Sequence, residues 1–123
     1  MTTLPVLDPL LHQPVRTQIA AYLAGRGEAT FAELKRALAA TDGNLDAHLT
    51  RLLAAGYLES RKEASAAGRP QTVYSLTAAG RHAFATYVVA LSALLPTMVE
   101  TDELLRNALA NPGSRGEEST SGV

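Results

Sequence analysis

Thr41-Asp42-Gly43-Asn44-Leu45-Asp46-Ala47-His48-Leu49-Thr50-Arg51-Leu52-Leu53-Ala54-Ala55-Gly56-Tyr57-Leu58 is the stretch on which the rest of the chain turns. Its leucines at 45, 49, 52 and 53 stand at i, i+4, i+7 and i+8, one apolar stripe of an α-helix. Thr41 or Asp42 can accept from the free amides of the first turn, and Gly56 stands where a left-handed residue ends a helix. At about 100° per residue, the face opposite the leucines carries Gly43, Asn44, Ala47, Thr50 and Arg51. That face is small and polar with a single guanidinium, and such a surface lies against a groove of DNA without a bulky clash. It equally describes the solvated back of an ordinary core helix, so the flanking sequence has to decide.

Just upstream, Thr30-Phe31-Ala32-Glu33 fits a capping box, in which Thr and Glu three residues apart satisfy each other's backbone amides. The helix it opens runs to about Ala39, with Phe31, Leu34 and Leu38 inward. Two short helices joined by a tight turn, the second longer and closed by glycine, make a helix-turn-helix pattern. Before it, residues 1–7 read as a short arm, and Asp8-Pro9-Leu10-Leu11 as a capped turn. Pro14 opens a helix through Val15, Ile19, Ala20, Tyr22 and Leu23 to Gly25, and Arg26-Gly27-Glu28-Ala29 is a polar connection.

After Gly56 the period changes from 3.6 to 2. Tyr57-Leu58-Glu59-Ser60-Arg61-Lys62-Glu63 and Gln71-Thr72-Val73-Tyr74-Ser75-Leu76 read as two strands of a hairpin. Ala64-Ser65-Ala66-Ala67-Gly68-Arg69-Pro70 forms its long, flexible tip. Thr77-Ala78-Ala79-Gly80 begins a further helix with Phe84, Tyr87, Val88, Leu91, Leu94 and Leu95 as its stripe, which Pro96 ends or kinks. A last helix would carry Met98, Val99, Leu104, Leu105, Ala108 and Leu109 before Asn111-Pro112-Gly113 stops it. We read residues 1–95 as one domain, 96–111 as a C-terminal helix and 112–123 as a disordered Ser/Gly/Glu-rich tail.

The composition bounds the function. A chain of 123 residues suits one domain. It has no cysteine, which excludes disulfides and thiolate metal sites. There is no apolar run of about 18 residues and no basic-then-hydrophobic start, so neither a membrane span nor a signal peptide is expected, and a cytoplasmic location fits. The net charge of −1 is not that of a strongly basic nucleic-acid binder. It is unevenly placed, however: residues 1–83 hold nine Lys/Arg against seven Asp/Glu, and residues 84–123 hold two against five. The basic excess lies where the helix-turn-helix does. No nucleophile elbow, phosphate loop or framed carboxylate pair is present, so no enzyme activity is expected.

In order, His12-Gln13-Pro14-Val15-Arg16, Gly43 to Leu49, Leu52 to Leu58, and Gly68-Arg69-Pro70 through Thr77-Ala78-Ala79-Gly80 resemble the small stand-alone winged helix-turn-helix transcriptional regulators of the MarR/ArsR-like group. The resemblance covers about residues 8–95. It implies a mainly α (α+β) fold with a two-stranded β-hairpin wing and C-terminal dimerisation helices. It also implies a homodimer on double-stranded DNA, with a recognition helix at about 42–55 in the major groove and a wing at about 61–72 on the minor groove or backbone. The Cys/His clusters of metal-sensing relatives are absent, so neither metal nor cofactor is carried over. A small-molecule effector is compatible with such a dimer, but no residue supports one.

The candidate DNA contacts follow from that frame. Arg51 would reach a guanine or a phosphate, against the alternative of a solvated helix arginine. Asn44 would read adenine or bind phosphate, or serve as a secondary cap. Gly43, Ala47 and Thr50 complete the face. Arg69 at the small-residue tip suits a narrow minor groove. Arg61 and Lys62 alternate faces, so one of them should meet phosphate, and Lys35 and Arg36 lie on the helix that crosses the backbone in this motif. Asp42 and Asp46 oppose phosphate; a cap role explains Asp42, and Asp46 would accept from cytosine or pair within the protein. His48, beside the leucines, is a half-buried packing residue rather than a metal ligand. Leu10, Leu11, Tyr87, Val88, Leu91, Leu94, Leu95 and Met98 are the expected dimer interface, because one domain cannot cover so much apolar surface. The alternative function is a winged-helix protein-interaction module without DNA binding, which the net acidity, Asp42, Asp46 and Glu63 would favour.

Overall fold

The computed structural model describes residues 5–94 and 99–110. Val6–Ala90 form one compact unit, and Pro5 and the described residues from Leu91 on belong to a second. In chain order the elements are α1 (Pro14–Arg26), β1 (Glu28–Thr30), α2 (Phe31–Leu38), α3 (Asp42–Ala54), β2 (Leu58–Ala64), β3 (Pro70–Leu76), α4 (Ala78–Ser92) and α5 (Val99–Ala110).

Local chemistry explains most of these boundaries. The Asp8 carboxylate accepts from the amide of Leu10 at 2.9 Å and shapes the turn before α1. Gln13 caps α1 by accepting from the Arg16 amide, and Pro14 takes the first helical position, where a missing N–H costs nothing. The helix runs to Arg26, slightly beyond the Gly25 end expected, because Gly27 at φ 90° is the residue that closes it. Thr30 and Glu33 form the full capping box of α2. Thr41 caps α3. At its other end the Tyr57 amide donates to Leu52 and the Gly56 amide to Leu53, with Gly56 at φ 80°. That is a Schellman stop, and it needs a residue tolerant of the left-handed region.

The sheet has three strands, in the order β1-β3-β2, all antiparallel. The segment read as a polar connection is in part strand β1, paired to β3 through Ala29 and Tyr74. Three residues are too few for a period-2 signal. What makes them a strand is the edge that β3 offers and the burial of Ala29, which is 2% exposed. The wing is therefore a long hairpin rooted in a third strand. Beneath it the core gathers Leu11, Ile19, Leu23, Leu34, Leu45, Leu49 and Leu52 with Leu58, Tyr74, Leu76 and Tyr87. All three leucines that α3 contributes were in its predicted stripe, and Leu53 is only half-buried.

Two interface expectations are corrected here. Leu11 is 1% and Tyr87 4% exposed, both within the core of this chain, so neither side chain has surface to offer a partner. Leu11 is folded inward by the Asp8 turn, and the Tyr87 hydroxyl lies 2.8 Å from Nδ1 of His12. Leu10 is half-buried against the same core. Val88 and Leu91 do face outward, and so does Val89, while Leu94 is half-buried. Leu95 and Met98 lie outside the described residues, as does the expected 112–123 tail.

Candidate nucleic-acid interface

The outer face of α3 carries Gly43, Asn44, Ala47, Thr50 and Arg51, all exposed, while Leu45, Leu49 and Leu52 anchor the opposite side. Among the described residues Arg51 makes no ion pair. Asn44 gives its backbone amide to the Thr41 hydroxyl, so Thr41 does the capping and the Asn44 side chain is left for another role. At the leading end of α3, Asp42 pairs with Lys35 of α2 at 2.8 Å. This cancels much of the repulsion that Asp42 would exert on phosphate and occupies Lys35 at the same time. Arg36 is exposed beside it.

The register of the wing separates Arg61 from Lys62. Residues 58, 60 and 62 share the sheet face of Tyr74 and Leu76, which packs on the core. This face looks onto α3: the Asp46 charge is felt by the Tyr74 hydroxyl, whose pKa is raised by burial first and by Asp46 second. Lys62 thus stands on the α3 side, where its ammonium donates to the neutral Thr72 hydroxyl at 2.7 Å and makes no ion pair among the described residues. Arg61 points to the opposite face. Its guanidinium crosses β3 to meet both oxygens of Glu28, at 3.1 and 2.9 Å, and also donates to Glu63 at 3.1 Å. Val73, the cross-strand neighbour of Arg61, lies under this bridge and is 2% exposed although it faces away from the core. The bridging also raises the Arg61 pKa and holds Glu28 below the usual carboxylate range. Arg61 is accordingly a brace for the wing, and the expectation of a phosphate contact passes to Lys62.

The tip closes more tightly than a loose turn. The Ser65 amide donates to Arg69, the Gly68 amide to Ser65, and the Arg69 amide to the Ser65 hydroxyl at 3.1 Å. Gly68 takes φ 83°, which a side chain would resist. Arg69 is exposed at the end of this turn.

Two features escaped the sequence reading. Arg16 is 9% exposed, its Nε donating to the Leu10 carbonyl at 2.6 Å and its Nη1 lying 3.0 Å from His48 Nδ1. Tyr57 donates its hydroxyl to Asp8 at 2.6 Å, which raises the tyrosine pKa and ties the α3 stop to the N-terminal turn. Position was the available signal for Arg16: it stands at i−3, i−4 and i−7 from Ile19, Ala20 and Leu23, on their buried stripe. Nothing local pointed to the Asp8–Tyr57 bond, which joins residues 49 apart. Among the described residues no cluster of His, Cys, Asp or Glu could hold a metal ion, and no helix is long and apolar enough to cross a membrane.

Residues 15–95 match the family described as the winged helix DNA-binding domain. The uncharacterized protein MJ0432 of Methanocaldococcus jannaschii is 38% identical over 79 residues, 64% of this chain and 85% of that one. Among solved structures, the transcriptional regulator homologue protein from Pyrococcus horikoshii OT3 superposes with a TM-score of 0.66 at 31% identity, over 72% of this chain and 87% of that chain. The transcriptional repressor BigR from Xylella fastidiosa gives 0.53 at 26% identity, over 68% and 79% of the two chains.

Proposed function

Since the chain belongs to the winged-helix DNA-binding domain family, we propose that it is a sequence-specific transcriptional regulator, not an enzyme, that binds double-stranded DNA as a homodimer. One observation carries this reading. The exposed face of α3, with Arg51 unpaired among the described residues, shares its side of the molecule with Lys62, whose partner is neutral. Arg69 extends the basic character at the wing tip. In this reading α3 enters the major groove, Arg51 and Asn44 reach base edges or phosphate, and Gly43, Ala47 and Thr50 permit close approach. Arg69 takes the minor groove, while Lys62 and Arg36 meet the backbone. The pairing of Asp42 with Lys35 and of Glu63 with Arg61 supports it further, because these are two of the three acids that, with the net charge, favoured an interaction module; Asp46 is the third. The compartment that follows is the cytoplasm.

The test is binding to the DNA upstream of its own gene against a scrambled duplex, at two salt concentrations. The expected result is preferential binding that weakens with salt, at about 0.9 in log K per log salt for each phosphate neutralised. Equal or absent binding at low salt would overturn it in favour of the interaction module.

A further inference from the structure

Arg16 poses a physical problem. A buried guanidinium ordinarily meets a carboxylate, because desolvating it alone is costly. Among the described residues Arg16 meets none. It bonds the Leu10 carbonyl, in the turn before α1, and His48, on the DNA-facing helix α3. One side chain thus ties α1 to the adjoining turn, 6 residues back, and to α3, 32 residues on.

Arginine offers donors only. The 3.0 Å contact therefore requires His48 Nδ1 to be an acceptor, with the ring neutral and its proton on Nε2. Protonation would set an N–H against an N–H and one cation against another at that distance. The charged groups that act on the ring are Arg16 from α1 and Arg51 from α3, and no carboxylate among the described residues offsets them. His48 sits beside the buried Leu49 and one turn before Arg51, so a change in its seat is passed to the helix that carries the outer face.

We propose that Arg16 is a positioning residue for α3: it holds the neutral imidazole of His48 from within, so that the seat of the helix, and with it DNA affinity, depends on His48 staying unprotonated. Only the affinity part rests on the DNA-binding reading above. Burial, then Arg16 and Arg51, hold the His48 pKa below its ordinary 6.5. The sign follows: the unfolded chain takes up the proton more readily than the folded one, so stability is full above pH 6.5 and is lost as pH falls through the depressed value. A histidine that merely faced phosphate would behave oppositely, since the polyanion would favour its cation and tighten binding in acid.

Two measurements test this. The first needs no DNA: the ring protons of His48 are titrated by NMR in the wild type and in Arg16→Met. The expected result is a midpoint below 6.5 that moves up when Arg16 is removed. An ordinary midpoint in the wild type, or one that Arg16→Met leaves in place, overturns the proposal. The second is fluorescence anisotropy with a labelled duplex from the upstream DNA, from about pH 7.5 to about 5.5, on the wild type and on His48→Asn. The asparagine Oδ1 takes the place of Nδ1 as acceptor and cannot titrate. Wild-type binding should weaken severalfold in acid, and His48→Asn should match it at the upper pH while losing most of that dependence. His12 and His82 remain in both proteins, so the difference belongs to position 48. Identical pH profiles, or tightening of the wild type in acid, overturn the proposal. Should Arg16→Met fail to fold, the wild-type midpoint and the His48→Asn comparison decide it. Absence of duplex binding by the wild type at every pH removes the DNA reading, and the ring titration then decides the proposal on its own.

Discussion

Arg61 and Lys62 are neighbours in sequence with opposite fates. A strand sends consecutive side chains to opposite faces, and the pairing of β2 with β3 decides which face is which. Lys62→Ala should lower DNA affinity and flatten the salt dependence by about one phosphate, roughly 0.9 in slope. Arg61→Ala should leave that slope nearly unchanged, because its guanidinium is already held by Glu28 and Glu63. A titration of duplex binding against salt on both variants separates them. Arg51→Ala should cost about 1–3 kcal/mol of binding and relax preference at one base position if it contacts a base edge; competition with single-site operator variants reads this directly. The sequence located all these cations, and alternation alone showed that the side chains at 61 and 62 point to opposite faces. That Arg61 is engaged was not legible, since its partner Glu28 is 33 residues away on a strand that gave no periodic signal.

At the scale of elements, caps and stops were legible because their partners lie within a few residues. The capping box of α2 is an example: Thr30 and Glu33 bond each other's backbone amides at 2.8 and 3.1 Å. Thr30→Ala should destabilise the fold by about 1 kcal/mol in urea denaturation. The bond from the Thr30 amide is also the main reason the Glu33 pKa is lowered from 4.5. A depressed carboxylate stabilises fully above its unfolded value, so this contribution should fade as pH drops below about 4.5, and Glu33→Gln should show a shallower acid loss. Close approaches between elements were not legible. Gly80 in α4 lies against the backbone of Tyr57, and an added Cβ would collide with that carbonyl. The same carbonyl accepts from Thr77, so it is held in place. Gly80→Ala should therefore destabilise by about 1–3 kcal/mol, as overpacking does, a loss measurable by thermal unfolding.

For the whole molecule, the proposed homodimer makes a prediction about α4. Val88 and Val89 are 43% and 69% exposed on consecutive positions of α4, whereas Leu11 and Tyr87 are core. A homodimer in solution should dissociate on Val88→Asp with Val89→Asp, as read by sedimentation, with each protomer still folded. Leu11→Ala should act differently, reducing unfolding free energy by about 2–5 kcal/mol through the cavity it leaves. A monomeric wild type at tens of micromolar would sink the dimer, and with it the fit to a two-fold operator.

The sequence by itself determined what short-range chemistry controls: the apolar stripe and cap of α3, its stop at Gly56, the capping box of α2, and, β1 apart, the order of helices and strands that defines the winged helix. Each depends on residues within about two helical turns of one another, where period and capping act directly. Tertiary structure alone decided which of those residues are available. It drew residues 28–30 into a third strand and turned Arg61 into a brace. It also took Leu11 and Tyr87 into the core and set Arg16 against His48. The physical reason is common to all of these: burial and charge pairing are settled by neighbours in space, and here those neighbours lie up to 75 residues apart along the chain.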